Sequence, residues 1–185
     1  MKKVYISCYE NLDSKYKEAL IKSNVVRENK LFTFIDSNEE LINNAYVNKD
    51  NVVQFVKKNL MKSADVVIFL VSDETKKRRI SDWEARAAMS KYGIFDKCGV
   101  IIIYLPDLIE KHGTKIPRSV LPTILEKNIN KKDVFMIETT WDKIKRDINI
   151  FDKLLNTAYA YSKMSNYELD DSIVFENKSN FPAIK

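Results

Sequence analysis

Scarcity sets the first limits on this 185-residue chain. It holds one histidine, His112, and two cysteines, Cys8 and Cys98, without the spacing of a zinc site and with too little histidine for a His-dependent triad. No metal site is expected. Both cysteines sit at the edges of apolar runs, which suits small buried side chains better than a disulfide. Glycine occurs three times, and neither G-x-G-x-x-G nor a Walker loop is present, which argues against an ordinary Rossmann dehydrogenase or a P-loop NTPase. No stretch approaches the roughly 18 consecutive apolar residues of a bilayer span. Met1, Lys2 and Lys3 lead directly into a strand with no h-region or cleavage site, so a cytoplasmic location and no membrane partner are expected. The net charge of +5 is spread along a chain rich in Lys and Asn, with no nucleic-acid-binding module, and no nucleic-acid partner is expected.

What is present reads as one domain with a well-filled core. Its centre is Ala64 to Gly93, "ADVVIFLVSDETKKRRISDWEARAAMSKYG". Val66–Val71 is too short for a membrane span and too uniformly apolar for a strand with one wet face, so it is the central parallel strand. A polar turn, Ser72–Arg79, and a helix to about Tyr92 follow, with Gly93 as its stop. Further strands are expected at Lys3–Ser7, Leu31–Ile35, Val100–Leu105 and Val134–Glu138. Helices are expected at Tyr16–Ile21 with Ser14 as N-cap, at Asn51–Met61, at Leu121–Lys127 and in one long run from Thr140. Pro106, Pro117 and Pro122 break residues 106–133 into short helices and loop. The alternation implies an α/β, flavodoxin-like three-layer fold, its five-stranded parallel sheet ordered 2-1-3-4-5. The turns after Ser7 and Val71 then share the switch-point crevice where such sheets bind ligands. Residues 1–161 form the domain, and 162–185 a tail that is docked, a partner-binding arm or partly disordered.

Glu84 lies just beyond the central strand and admits two readings. Ser81-Asp82-Trp83-Glu84 matches the S-x-x-E capping box, in which the glutamate only ties down the helix start. If the helix instead begins near Lys77 or Arg78, Glu84 falls in the second turn beside Ile80, Ala87 and Ala88. A carboxylate on an apolar, sheet-facing side needs a reason. Trp83 is a packing residue or a ring shielding a ligand. Lys76, Lys77, Arg78 and Arg79 form a solvated turn or attract a diphosphate. Ser7, Cys8 and Tyr9, with the amides of the following helix start, form a candidate anion site. The polar loop of residues 36–50 is long enough to be functional.

"KVYISCY", "ADVVIFLVSDET" and "RRISDWEARAAM" together resemble the TIR domain superfamily, particularly the bacterial TIR-like branch of Thoeris antiphage systems. The resemblance runs from about Lys3 to Ala160, and its specific part is the central strand, the turn with Ser72 and Thr75, and the glutamate after it. It implies that Glu84 is catalytic and that Ser7, Cys8, Tyr9, Asp36, Ser72, Thr75 and Trp83 help bind a nucleotide. NAD+ is then the substrate rather than a cofactor. Its nicotinamide-ribose bond is cleaved, with a cyclic ADP-ribose-type signal as one product. The resemblance further implies a homo-oligomer as the active form and a downstream effector that senses the product. Many relatives carry an aromatic residue where this chain has Ile80, and the superfamily includes adaptors without activity. A non-catalytic TIR-like interaction module is therefore the second reading. A flavodoxin-like or receiver-like domain is the third, the receiver reading being weakened because strand one ends in Ser7, Cys8 and Tyr9 rather than an acidic pair.

Overall fold

The computed structural model describes residues 1–36, 49–164 and 166–170. Five strands form a parallel sheet: β1 (Lys2–Ser7), β2 (Phe32–Phe34), β3 (Val66–Val71), β4 (Gly99–Tyr104) and β5 (Met136–Thr140). Their order is β2-β1-β3-β4-β5, as expected, and every pairing is parallel. The chain steps outward from β1 to β2 and then returns to β3 on the other side. The switch point therefore lies between β1 and β3, at their carboxyl ends.

β3 and β4 are buried at every position, because helices cover both faces and leave no wet side. Alternation sorts the side chains into two layers. Tyr5, Val67, Phe69, Val71, Ile102 and Tyr104 face one layer. It contains the run α2 (Lys49–Phe55) with its π-helical extension Val56–Leu60, together with α3 (Arg79–Met89), α4 (Pro106–His112) and α5 (Thr123–Asn128). Val4, Ile6, Ile68, Leu70, Ile101 and Ile103 face the other layer. There α1 (Glu10–Val25), α6 (Trp141–Arg146) and α7 (Ile148–Met164) supply Leu20, Ile144, Phe151, Leu155 and Ala158. Cys8 and Cys98 are buried and unbridged. Among the described residues no helix is long and apolar enough to cross a membrane.

Several boundaries differ from expectation. Helix α1 starts at Glu10 rather than Tyr16, with Tyr9 as N-cap, its carbonyl accepting from the amides of Leu12 and Asp13. Glu10 and Asp13 look like turn residues, yet carboxylates suit the amide-rich first turn of a helix. Helix α3 ends at Met89, before Tyr92. Gly93, at φ +57°, belongs to a tight turn in which Tyr92 and Phe95 exchange backbone hydrogen bonds of 3.0 and 2.9 Å. Strand β5 begins at Met136, two residues after Val134. The single long helix expected from Thr140 is broken at Asp147, whose backbone is extended. Its carboxylate accepts the Asn149 amide at 2.9 Å, so a local side-chain acceptor starts α7 afresh.

Helix α7 continues to Met164, past the expected boundary at 161. Residues 166–170 are docked: the Tyr167 hydroxyl donates to the Met89 carbonyl at 3.3 Å. Lys97 donates to the Tyr167 carbonyl at 2.8 Å, and Asn128 brackets Asp170 with two bonds. The remaining tail, 171–185, lies outside the described residues.

Gly99 opens β4 where α7 crosses the sheet. A Cβ there would stand 2.2 Å from the Ala158 carbonyl oxygen and 2.4 Å from its carbon. These are backbone atoms and cannot swing aside. Gly99→Ala is expected to lower unfolding stability by about 1–3 kcal/mol, read from urea titration; an unchanged midpoint would show that α7 does not press on this strand.

Candidate functional site

Helix α3 has Arg78 as its N-cap, in extended conformation, so Ser81 is the third helical residue and Glu84 falls in the second turn. The capping-box reading is thereby corrected. Ser81 is buried, and its hydroxyl has no hydrogen-bond partner among the described residues. Glu84 is 0 % exposed and points to β1. Ser7 donates its hydroxyl to Oε2 at 2.5 Å, and Tyr5 donates its own to Oε1. Residues two apart on a strand share a face. One strand therefore delivers both donors to the helix packed against it. Removing a carboxyl group from water without donors costs several kcal/mol, and here both oxygens receive one.

On the other face of the same sheet edge, the Ser72 hydroxyl donates to Asp13 Oδ2 at 2.7 Å. The Ser72 amide donates to Thr75 Oγ1 at 2.9 Å, and the Thr75 amide returns to the Ser72 carbonyl at 3.1 Å. This reciprocal turn holds the exit of β3. Asp13 is 4 % exposed. Burial pushes its carboxyl above the usual carboxylate range, the Ser72 hydrogen bond pulls it back, and the nearby Asp107 charge adds to the rise. Arg78 links the two faces: its guanidinium donates to the Cys8 carbonyl and lies 5.6 Å from the Tyr9 ring centre.

The structure thus gathers Ser7, Cys8, Tyr9, Ser72, Thr75 and Glu84 at the carboxyl ends of β1 and β3. Their offerings differ from what the residue types suggest. The Cys8 side chain belongs to the core facing α1, and its carbonyl is held by Arg78. Thr75 is buried inside its own turn. Trp83 is half-buried and packs with Ile80 against the core, the Arg79 guanidinium 5.8 Å from its ring centre. Asp36 is exposed just past edge strand β2, and residues 37–48 of the expected functional loop lie outside the described residues. The basic run is engaged with neighbours: Lys76 pairs with Glu126 at 2.7 Å and Lys77 with Glu74 at 2.5 Å.

Sequence reasoning missed Tyr5 and Asp13 as members of this group, and it placed Arg78 only in a basic run, not as the link to the Cys8 carbonyl. The hydroxyls of Tyr5 and Ser7, two positions apart in "KVYIS", were the available signal for the first. Asp13 carried only the pattern of a polar turn.

Two stability measurements check this geometry. A helix cap would lose about 1 kcal/mol on Ser81→Ala; here the variant is expected to be as stable as the parent or more so, because a buried hydroxyl without a partner is removed. Since folding raises the Asp13 pKa, the native state gains at pH below the ordinary carboxylate value and loses that gain as pH rises through the raised one. Asp13→Asn keeps an acceptor for Ser72 and should be more stable than the parent at neutral pH. Its advantage should shrink towards about pH 4, and a pH-independent difference in urea titrations would contradict the assignment.

No curated protein and no solved structure matches the chain. A family model does: that of Thoeris protein ThsB, TIR-like domain, matches residues 5–109. The matched span runs from Tyr5 through Glu84 to the start of α4, and so contains both faces of the switch point. With more than half of its length matched, and with the sheet order and helical layers described above, the chain belongs to the ThsB TIR-like domain family of Thoeris proteins.

Proposed function

We propose that this chain is an NAD+-consuming enzyme of antiphage defence in which Glu84 acts on the nicotinamide-ribose bond. The observation that carries the reading is a carboxyl group buried at the switch point and oriented through both oxygens by Ser7 and Tyr5. Cleavage breaks the bond between ribose C1′ and the ring nitrogen, and the electron pair leaves with nicotinamide, which becomes neutral. No general acid is needed. Positive charge develops on the ribose, as in the oxocarbenium-like transition state of glycoside hydrolysis. A carboxylate fixed in a water-poor site stabilises that charge more than an exposed one would, because little solvent screens it. Ribose hydroxyls are suitable replacements for the Ser7 donor, since they present the same group to Oε2.

Capture of C1′ by water gives ADP-ribose and a proton. Capture by another atom of the same nucleotide gives a cyclic product, the form suited to a downstream effector that senses a nucleotide. NAD+ is substrate in both cases. Because Glu84 is enclosed, entry of the nucleotide must open the carboxyl edge of β1, and we place the active form in a homo-oligomer that completes the pocket. Asp36 and Trp83, flanking the group, are retained as nucleotide contacts in that form. The same enclosure favours a second reading, a non-catalytic interaction module in which Glu84 fastens α3 to β1.

Incubation of concentrated protein with NAD+ and chromatographic separation of nicotinamide, ADP-ribose and cyclic species decides between them. Nicotinamide release is expected to fall by about 100-fold or more in Glu84→Gln. Tyr5→Phe should cause a smaller loss with a displaced pH profile, because it removes one donor to the carboxylate. Full activity in Glu84→Gln removes that residue from the chemistry. No release from the parent at any concentration favours the interaction module.

A further inference from the structure

A second cavity opens on the same edge of the sheet, two strands away from Glu84. It has a volume of about 510 Å³ and lies at the carboxyl ends of β4 and β5. That is within the roughly 300–1,000 Å³ of small-molecule sites. Val71, Tyr104 and Thr140 stand in register across β3, β4 and β5, so the cavity is level with the switch point while being separate from it.

Its lining is unbalanced in charge. Lys115, Arg118, Lys143 and Arg146 face Glu138 and Asp142. Glu138 is already engaged, accepting from Arg118 and from the Tyr104 hydroxyl, while Arg118 also donates to the Tyr104 oxygen at 3.1 Å. Among the described residues, Lys115, Lys143 and Arg146 take part in no ion pair. Thr139 also lines the cavity. It is only 7 % exposed. Ile109 and Ile116 form an apolar wall beside these cations.

We propose that this cavity binds a nucleoside diphosphate, its diphosphate held by Lys115, Lys143, Arg146 and the Thr139 hydroxyl, and its uncharged part against Ile109 and Ile116. Three cations without carboxylate partners match a multiply charged anion better than a single carboxylate. Arg118 is held in place by Glu138 and Tyr104, so it needs little ordering on binding. The site is independent of any chemistry at Glu84.

Calorimetric titration of the intact chain with ADP at physiological salt tests the proposal. The parent is expected to bind at one saturable site. Combined Lys115→Ala, Lys143→Ala and Arg146→Ala should weaken binding by about tenfold or more, since charge-assisted bonds to phosphate are lost. Thr139→Val should weaken it by a smaller factor. Glu84→Gln should leave it unchanged, as should combined Lys22→Ala, Lys30→Ala and Lys62→Ala, none of which lines the cavity. Circular dichroism confirms that each variant is folded. No saturable binding by the parent overturns the proposal. So does a loss in Glu84→Gln without one in the cavity variant, which would place ADP at the switch point, or an equal loss in the control, which would reduce the effect to net charge.

Discussion

A buried carboxyl group bonded across two elements is the constraint around which this molecule is arranged. Glu84 stands on a helix that leaves the central strand, and its oxygens accept from Tyr5 and Ser7 on the neighbouring strand. A lone carboxylate in such a place would be expelled or would unfold its surroundings. The hydroxyls make the burial tolerable, and in doing so fix the rotation of α3 about its axis. Once that rotation is set, Ala85, Ala87, Ala88 and Met89 fall into the core, and Asp82 reaches the Ile124 amide at 3.0 Å. Burial raises the Asp82 pKa, partly offset by that amide.

The opposite face repeats the device with different residues. Asp13 on α1 accepts from Ser72 at the end of β3, so each face of the switch point has one buried acid tied to one strand-end serine. Arg78 lies between them and reaches back to the Cys8 carbonyl. Buried acids are poor choices for stability alone. Both stand at the one place where the strand order reverses, between β1 and β3.

The rest of the fold supplies rigidity behind that edge. β3 and β4 are apolar on both faces and pair along their whole length. Gly99 lets α7 approach until backbone meets backbone. The segment 166–170 closes over the opposite layer through Tyr167, whose hydroxyl burial shifts upward in pKa. Charged and hydroxyl-bearing side chains, by contrast, collect at the carboxyl ends of β4 and β5 as well as at the switch point.

The architecture could be read from the chain because its signals are local and redundant. "VVIFLV" and "VIIIYL" admit no wet face, helices alternate with strands, and right-handed crossovers leave few orders for five strands. Glu84, Ser7 and Ser72 were also legible, since each sits where a strand ends or a helix begins. The boundaries at Glu10, Met136 and Asp147 were not, because there a capping carbonyl, a strand register or a single side-chain acceptor outweighs periodicity. Nor could the partners of Glu84 be read. Ser81 three positions before it satisfies the capping pattern, and only packing α3 against β1, 77 and 79 positions away in sequence, aims the carboxyl at Tyr5 and Ser7. Sequence alone determined which residues must be buried and in what periodic order; tertiary structure decided which hydroxyl meets which carboxylate, because hydrogen bonds between distant segments depend on the relative rotation of packed elements, which local pattern does not encode.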